Sequence, residues 1–301
     1  MKDATGLPLF AAIRACNPDP TRPFLETPEG RRMSYGDLFS ATGRFANTLR
    51  ELGVRKGDRV AVQTQKSPEV VILLLACARI GAIFLPLNTA YTVAELDYFI
   101  GDAEPSLLVC DSAAREALAP VASRHGVKAI ETLDVGGTGS LSDRAARADA
   151  DFEDADLGPD DLAAILYTSG TTGRSKGAML SHANLVSNAQ TLVASWRFTG
   201  DDVLLHALPT FHTHGLFVAT NTLLLAGGSM IFMEKFDPDA ILAHMPRATT
   251  MMGVPTFYTR LLQHPGLTRE ATAHMRLFVS GSAPLLAETH REFEARTGHA
   301  I

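Results

Sequence analysis

The chain has 301 residues, 46% apolar and 20% charged, and a formal net charge of −6 at pH 7. That length and apolar share suit about two buried cores, while the acidic balance and scattered basic residues exclude the cationic stripe of a nucleic-acid binder. Cys16, Cys77 and Cys110 show no C-x-x-C spacing, so neither a disulfide framework nor a thiolate metal site is expected. No run approaches the ~20 apolar residues of a membrane span, and Met1 to Phe10 lacks a basic-then-apolar leader. A cytoplasmic chain without nucleic-acid or membrane partners is the expectation.

Residues 1 to 33 read as a leading segment with a short helix and a hairpin-like stretch. Ser34 can cap a helix to about Leu52, with Leu38, Phe39, Phe45, Ala46, Leu49 and Leu52 at helical spacing and Gly53 as its stop. KGDRVAVQ turns into a strand. Ser67 and Pro68 open the helix PEVVILLLACARIG, which is apolar all round and so is expected to be buried. AIFLPLN is a strand; Thr92 and Glu95 form a capping-box pattern for a helix ending near Gly101. SLLVCD is a strand, Ala113 to Arg124 a helix and VKAIETL a strand. Residues 134 to 161, with GGTGS and the acid-rich DADFEDADLGPDD, break the rhythm and read as a solvated surface connection without a calcium-loop pattern.

Next comes ILYTSGTTGRSKG, Ile165 to Gly177: an apolar strand running into small, hydroxylated and glycine residues closed by a lysine. Gly170 and Gly173 let the backbone approach a ligand, Thr168, Ser169, Thr171, Thr172 and Ser175 offer hydroxyls, and Lys176 offers a cation. Such a loop suits a polyphosphate, yet it is not G-x-x-x-x-G-K-[ST], because Ser175 stands where the second glycine belongs. Gly177 to Leu180 is a short strand and Ser181 caps a helix to about Ser195. The strands DDVLLHALP, SMIFME, TTMMGVP and MRLFVSGS then alternate with a loop and buried helix over FHTHGLFVATNTLLLAGG, a helix from Asp237, the helix TFYTRLLQ, and the helix PLLAETHREFEARTG with proline at its start. The pattern predicts an α/β fold of two successive mainly parallel β-α subdomains, 1–160 and 161–301.

Position by position, Ile165 to Lys176 resembles the AMP-binding signature of the adenylate-forming superfamily, which includes acyl-CoA synthetases, luciferases and peptide-synthetase adenylation domains. Ser175 departs from it, since the family more often has proline there. ALPTFHTHGLF, Ala207 to Phe217, resembles the second core motif, whose aromatic–histidine pair, here Phe211 and His212, lines the carboxylate end of the acyl pocket. The H-x-H pair lacks a third ligand at metal spacing, and His214 reads as a structural histidine. MGVPTFYTRLL and FVSGSAPL resemble the segments that bring pocket residues and the adenine wall, with Ser280 and Ser282 facing substrate or nucleotide. Arg260 follows VPTFYT near the start of a helix; its guanidinium either holds a second carboxylate bidentately or is a surface cation. Together these segments look most like malonyl-CoA synthetases.

The resemblance implies Thr168, Lys176 and His212 as catalytic groups. It implies Thr168, Ser169, Gly170, Thr171, Thr172, Gly173, Lys176 and Ser282 against the nucleotide, and His212, Arg260, Ser280 and Ser282 against the acid. It implies ATP with Mg²⁺, coenzyme A and a small carboxylic acid, malonate or methylmalonate, joined through an acyl-adenylate. It further implies a continuation in cis beyond Ile301, with an aromatic-Gly-x-Thr-Glu segment and a small C-terminal lid domain, without which these residues are expected to be inactive. Alternatives from the residues are a non-catalytic nucleotide- and acyl-binding fragment, a ligase for a fatty or other monocarboxylic acid, and, against the missing lysine-Ser/Thr pair, a P-loop-like ATPase.

Overall fold

The computed structural model describes residues 6–168 and 175–301. Its first half runs α1 (Leu9–Cys16), β1 (Pro23–Glu26), β2 (Arg32–Ser34), α2 (Tyr35–Glu51), β3 (Arg59–Gln63), α3 (Pro68–Ile80), β4 (Ile83–Pro86), α4 (Val93–Ala103), β5 (Leu107–Cys110), α5 (Arg115–Arg124), β6 (Ala129–Thr132) and α6 (Ser140–Ala145). Then follow β7 (Leu162–Thr168), β8 (Lys176–Ser181), α7 (His182–Ser195), β9 (Val203–His206), α8 (Thr220–Ala226), β10 (Ser229–Phe232), α9 (Pro238–His244), β11 (Thr250–Gly253), α10 (Pro255–Leu262), β12 (Leu277–Ser280) and α11 (Ala287–Thr297).

The helix starts follow from their caps. Ser34 with Asp37, Thr92 with Glu95 and Ser181 with Asn184 each form reciprocal side-chain-to-backbone pairs, which satisfy amide donors that the first turn leaves without partners. Helix α4 runs past Gly101, where an ending was expected. Gly101 is needed inside it because a Cβ there would stand 2.7 Å from Cε1 of His125. Helix α11 begins at Ala287, three residues after Pro284, since the chain leaves β12 through a left-handed residue, Ser282, before it can coil.

Two six-stranded sheets form, ordered β12-β11-β9-β10-β1-β2 and β6-β5-β3-β4-β7-β8. Within each sheet the neighbours are parallel, except for the antiparallel pairs β1–β2 and β7–β8 at one edge. The expected boundary at 160/161 does not coincide with the break between sheets. The β1–β2 hairpin joins β9 to β12 through the parallel pairing of Leu25 with Met230, and β7 and β8 join β3 to β6 through Phe84 and Ala164.

Alternate strand residues face opposite layers. Val60 and Val62 of β3, Leu204 of β9 and Met230 of β10 enter a central core with α1, α2, α3, α7 and α8. Leu205 and Ile231 turn outward to α9, α10 and α11, and Ala61 and Leu108 turn outward to α4 and α5. All residues of α3 are buried, as its pattern requires. No helix among the described residues is long and apolar enough to cross a membrane.

The acid-rich connection is strapped down along part of its length. Arg79, 4% exposed on α3, bonds Asp154 Oδ1 at 2.5 Å and donates to the Phe152 carbonyl at 2.9 Å. Arg44 and Asn47 of α2 donate to the carbonyls of Ala148, Asp149 and Asp151, and Lys56 pairs with Asp161 at 2.9 Å. Backbone carbonyls aligned beside helix-borne donors, more than the acidic side chains, hold the segment.

Fully buried His182 accepts from the Leu9 amide through Nδ1 at 3.2 Å, and burial pulls its pKa from 6.5 to about 4. Above pH 6.5 the imidazole is neutral in both folded and unfolded chains. As pH falls from 6.5 towards 4, the unfolded chain takes up a proton that the folded one refuses, so stability falls in this window and levels off below it. Denaturant titration should record a loss of about 3 kcal/mol there. In His182→Asn, which keeps an acceptor for Leu9, that component of the pH dependence should vanish.

Candidate active site

The loop expected to hold a polyphosphate joins β7 to β8. Because these strands are antiparallel, Thr168 and Lys176 pair across the mouth of the loop, with Thr168 Oγ1 3.5 Å from the Lys176 carbonyl and both residues exposed. The hydroxyl and the ammonium therefore start from adjacent strand ends. Ser169, Gly170, Thr171, Thr172 and Gly173 lie outside the described residues.

One helix holds both stems of this hairpin. From α4, the Tyr98 hydroxyl donates to the Ser175 carbonyl at 2.8 Å, and Asp102 Oδ2 accepts from the Tyr167 hydroxyl at 2.5 Å. The Phe99 and Tyr167 rings pack with centroids 4.6 Å apart. Burial, then the Asp102 carboxylate, pushes the Tyr167 hydroxyl pKa upward, so it stays a donor to Asp102. Tyr98 and Asp102, one helical turn apart on α4, carry no motif that would reveal this role from sequence.

The Ala207–Phe217 segment leaves the carboxyl end of β9. His212 is exposed, with its ring edge-on to Phe211 at 4.6 Å, and partial burial holds its pKa below the usual imidazole value. Residues His214–Ala219 form a π-helical turn, in which the Thr220 amide donates to the Gly215 carbonyl. A Cβ at Gly215 would collide with the Pro209 carbonyl, so only glycine lets the turn fold back on β9. His214, expected as a structural histidine, packs against the end of β12. Its Nδ1 lies 3.1 Å from Ser282 Oγ, and its ring fills the space beside Gly281.

Strands β11 and β12 end together, Gly253 beside Ser280, and the Tyr258 hydroxyl of α10 donates to the Val279 carbonyl at 2.6 Å. Ser280 Oγ is buried and has no hydrogen-bond partner among the described residues, and Ser282 has φ 69°. Left-handed backbone in a non-glycine residue carries strain, and unpaired buried hydroxyls are uncommon; both concentrate where a ligand is handled. Ser280 also lines an 800 Å³ cavity with Trp196, Leu285, His290 and Ile301.

Arg260 falls in the short helix expected for it, which has only about two turns. It lies in the last turn of α10, exposed, with its guanidinium 4.9 Å from the Phe236 ring centroid; Phe236 in turn stacks on Phe257 at 4.0 Å. The structure thus brings Thr168 to Lys176, and His214 to Ser282. Among the described residues no three His, Cys, Asp or Glu side chains gather as a metal cage.

The AMP-binding enzyme family matches residues 13–301, and the chain belongs to it. It superposes on ATP-bound MatB of Rhodopseudomonas palustris with a TM-score of 0.96 and 60% identity, over 99% of this chain and 59% of that one. A feruloyl-CoA synthase of Amycolatopsis is 35% identical over 86% of this chain and 51% of its own length. A human mitochondrial malonate–CoA ligase is 29% identical over 90% of this chain and 50% of its own. The chain thus spans about half the length of the curated relatives it matches.

The strained turn gives a test that needs no ligand. Ser282→Gly removes the Cβ penalty at positive φ, whereas Ser282→Ala keeps it and loses the His214 contact. The glycine variant should be about 1 kcal/mol more stable than the alanine variant in denaturant titration.

Proposed function

We propose that this chain carries the nucleotide loop and acyl pocket of an ATP-dependent acyl-CoA ligase acting on a small dicarboxylic acid, malonate or methylmalonate. The observation that carries the reading is the pairing of Thr168 with Lys176 across the mouth of the glycine- and hydroxyl-rich loop. In the reaction, a substrate carboxylate oxygen attacks the α-phosphorus of ATP, expelling pyrophosphate. The coenzyme A thiol then attacks the acyl carbon, and AMP leaves. Mg²⁺ bound with ATP would neutralise phosphate charge.

The chain's own residues position and stabilise. Lys176 and the Thr168 hydroxyl meet the polyphosphate, whose charge a preorganised cation stabilises most as it develops. His212, with its pKa lowered by partial burial, presents a neutral imidazole to the reacting carboxylate. Ser280 and Ser282 close the same end. Arg260, supported on Phe236, supplies the cation for the distal carboxylate, and with that partner a dicarboxylate is preferred over a neutral acid. The similarity to the feruloyl-CoA synthase favours a second reading, a ligase for a monocarboxylic acid with Arg260 as a surface residue.

Lys176→Ala in the full-length protein should lower ATP use about tenfold to a hundredfold, the worth of one charge-assisted contact, with the unfolding midpoint unchanged. Unaltered ATP kinetics would remove the loop from the reaction. Pyrophosphate release with malonate, methylmalonate and butyrate separates the substrate readings. Arg260→Ala should depress malonate turnover by a similar factor while sparing butyrate, and equal losses would favour the monocarboxylic reading.

A further inference from the structure

Lys66, just past β3, is 6% exposed and has no carboxylate within ion-pair distance among the described residues. Its ammonium nitrogen lies 2.7 Å from the His206 carbonyl, 2.8 Å from His206 Nδ1 and 4.2 Å from the Phe232 ring centroid. His206 ends β9 in the other sheet and is itself 1% exposed. Its Nε2 lies 3.0 Å from the Gly215 carbonyl, which also accepts the Thr220 hydroxyl at 2.8 Å and the Thr220 amide.

A carbonyl only accepts, so His206 carries its proton on Nε2, and Nδ1 is left to accept from Lys66. A side chain inserted into the backbone ladder is one of the few things that turn an α-helical turn into a π-helical one. From these contacts we infer that Lys66 and His206 are positioning residues. They form a brace across the two sheets that fixes the π-turn, and through it sets His212 and His214 against the Ser280–Ser282 strand end.

A core that needed only volume at position 66 would be served as well by methionine, without a buried amine to desolvate. Burial holds the pKa of both side chains well below their ordinary values, a direction that favours their neutral forms where no counter-ion stands beside them. The brace would then select one tautomer of His206, and that tautomer the geometry of the turn.

The kinetic arm of the test rests on the ligase reading; the spectroscopic arm does not. In the full-length protein, Lys66→Met should raise the KM for the carboxylic acid about tenfold, the cost of one lost buried hydrogen bond, and leave the KM for ATP unchanged. Lys66→Gln, which keeps a neutral donor, should recover most of that loss. An acid KM equal to that of the unmodified protein, with only a lower unfolding midpoint, would overturn the brace. If the unmodified protein shows no acid-dependent turnover, the ligase reading falls and the brace is judged by nitrogen-15 NMR of the unmodified protein, as it also is should Lys66→Met fail to fold. The proton of His206 should be on Nε2; finding it on Nδ1 overturns the inference.

Discussion

A helix with no exposed position must be covered on every side, and α3 is such a helix. One layer of partners cannot do this, so the chain supplies two sheets with helices between them. The two charged side chains of α3 are each held where they leave the apolar surround: Glu69 by Arg31 at 2.5 Å and Arg79 by Asp154. A charge left unpaired at either place would be costly. The hairpin that presents Arg31, the segment that presents Asp154 and the sheet order all follow from the need to enclose this helix.

The loop and strand ends of the site use the same frame. In parallel α/β sheets ligands gather at the carboxyl ends of strands, and here the ends of β9, β11 and β12 carry His212, Gly253 and Ser280. The loop between Thr168 and Lys176 differs, because it is the turn of an antiparallel edge hairpin. An edge hairpin has a partner on one side only, and the grip of Tyr98 and Asp102 supplies a second constraint.

Much of this was legible in the sequence because it is local. Caps at Ser34, Thr92 and Ser181 and the all-apolar run of α3 need no distant partner to be recognised. The loop motif exposed Thr168 and Lys176 in the same way. What depended on long-range pairing was not legible. The short helix Ser140–Ala145 and the strapping of residues 148 to 161 lack periodicity of their own and rely on Arg44, Asn47 and Arg79 from elsewhere. His212 and His214 flank the same residue, Thr213, and only the turn of the backbone decides which ring meets Ser282. Lys66 and His206 are 140 residues apart, and neither belongs to a recognisable spacing.

The crossing of the early hairpin into the late sheet also bears on how the molecule is made. Strand β1 has β2 on one flank, but its other flank waits for β10, since Leu25 pairs with Met230. On a ribosome, the sheet of β3 to β8 can assemble once Ser181 has emerged, while the free flank of β1 remains without its partner strand until about fifty more residues have followed. Contacts of such long sequence separation form slowly, because chain entropy is lost before pairing returns any energy. Phe24 and Leu25, buried in the finished fold, are therefore apolar surface on display for that interval, and the nascent chain is most open to chaperones and to misassociation there.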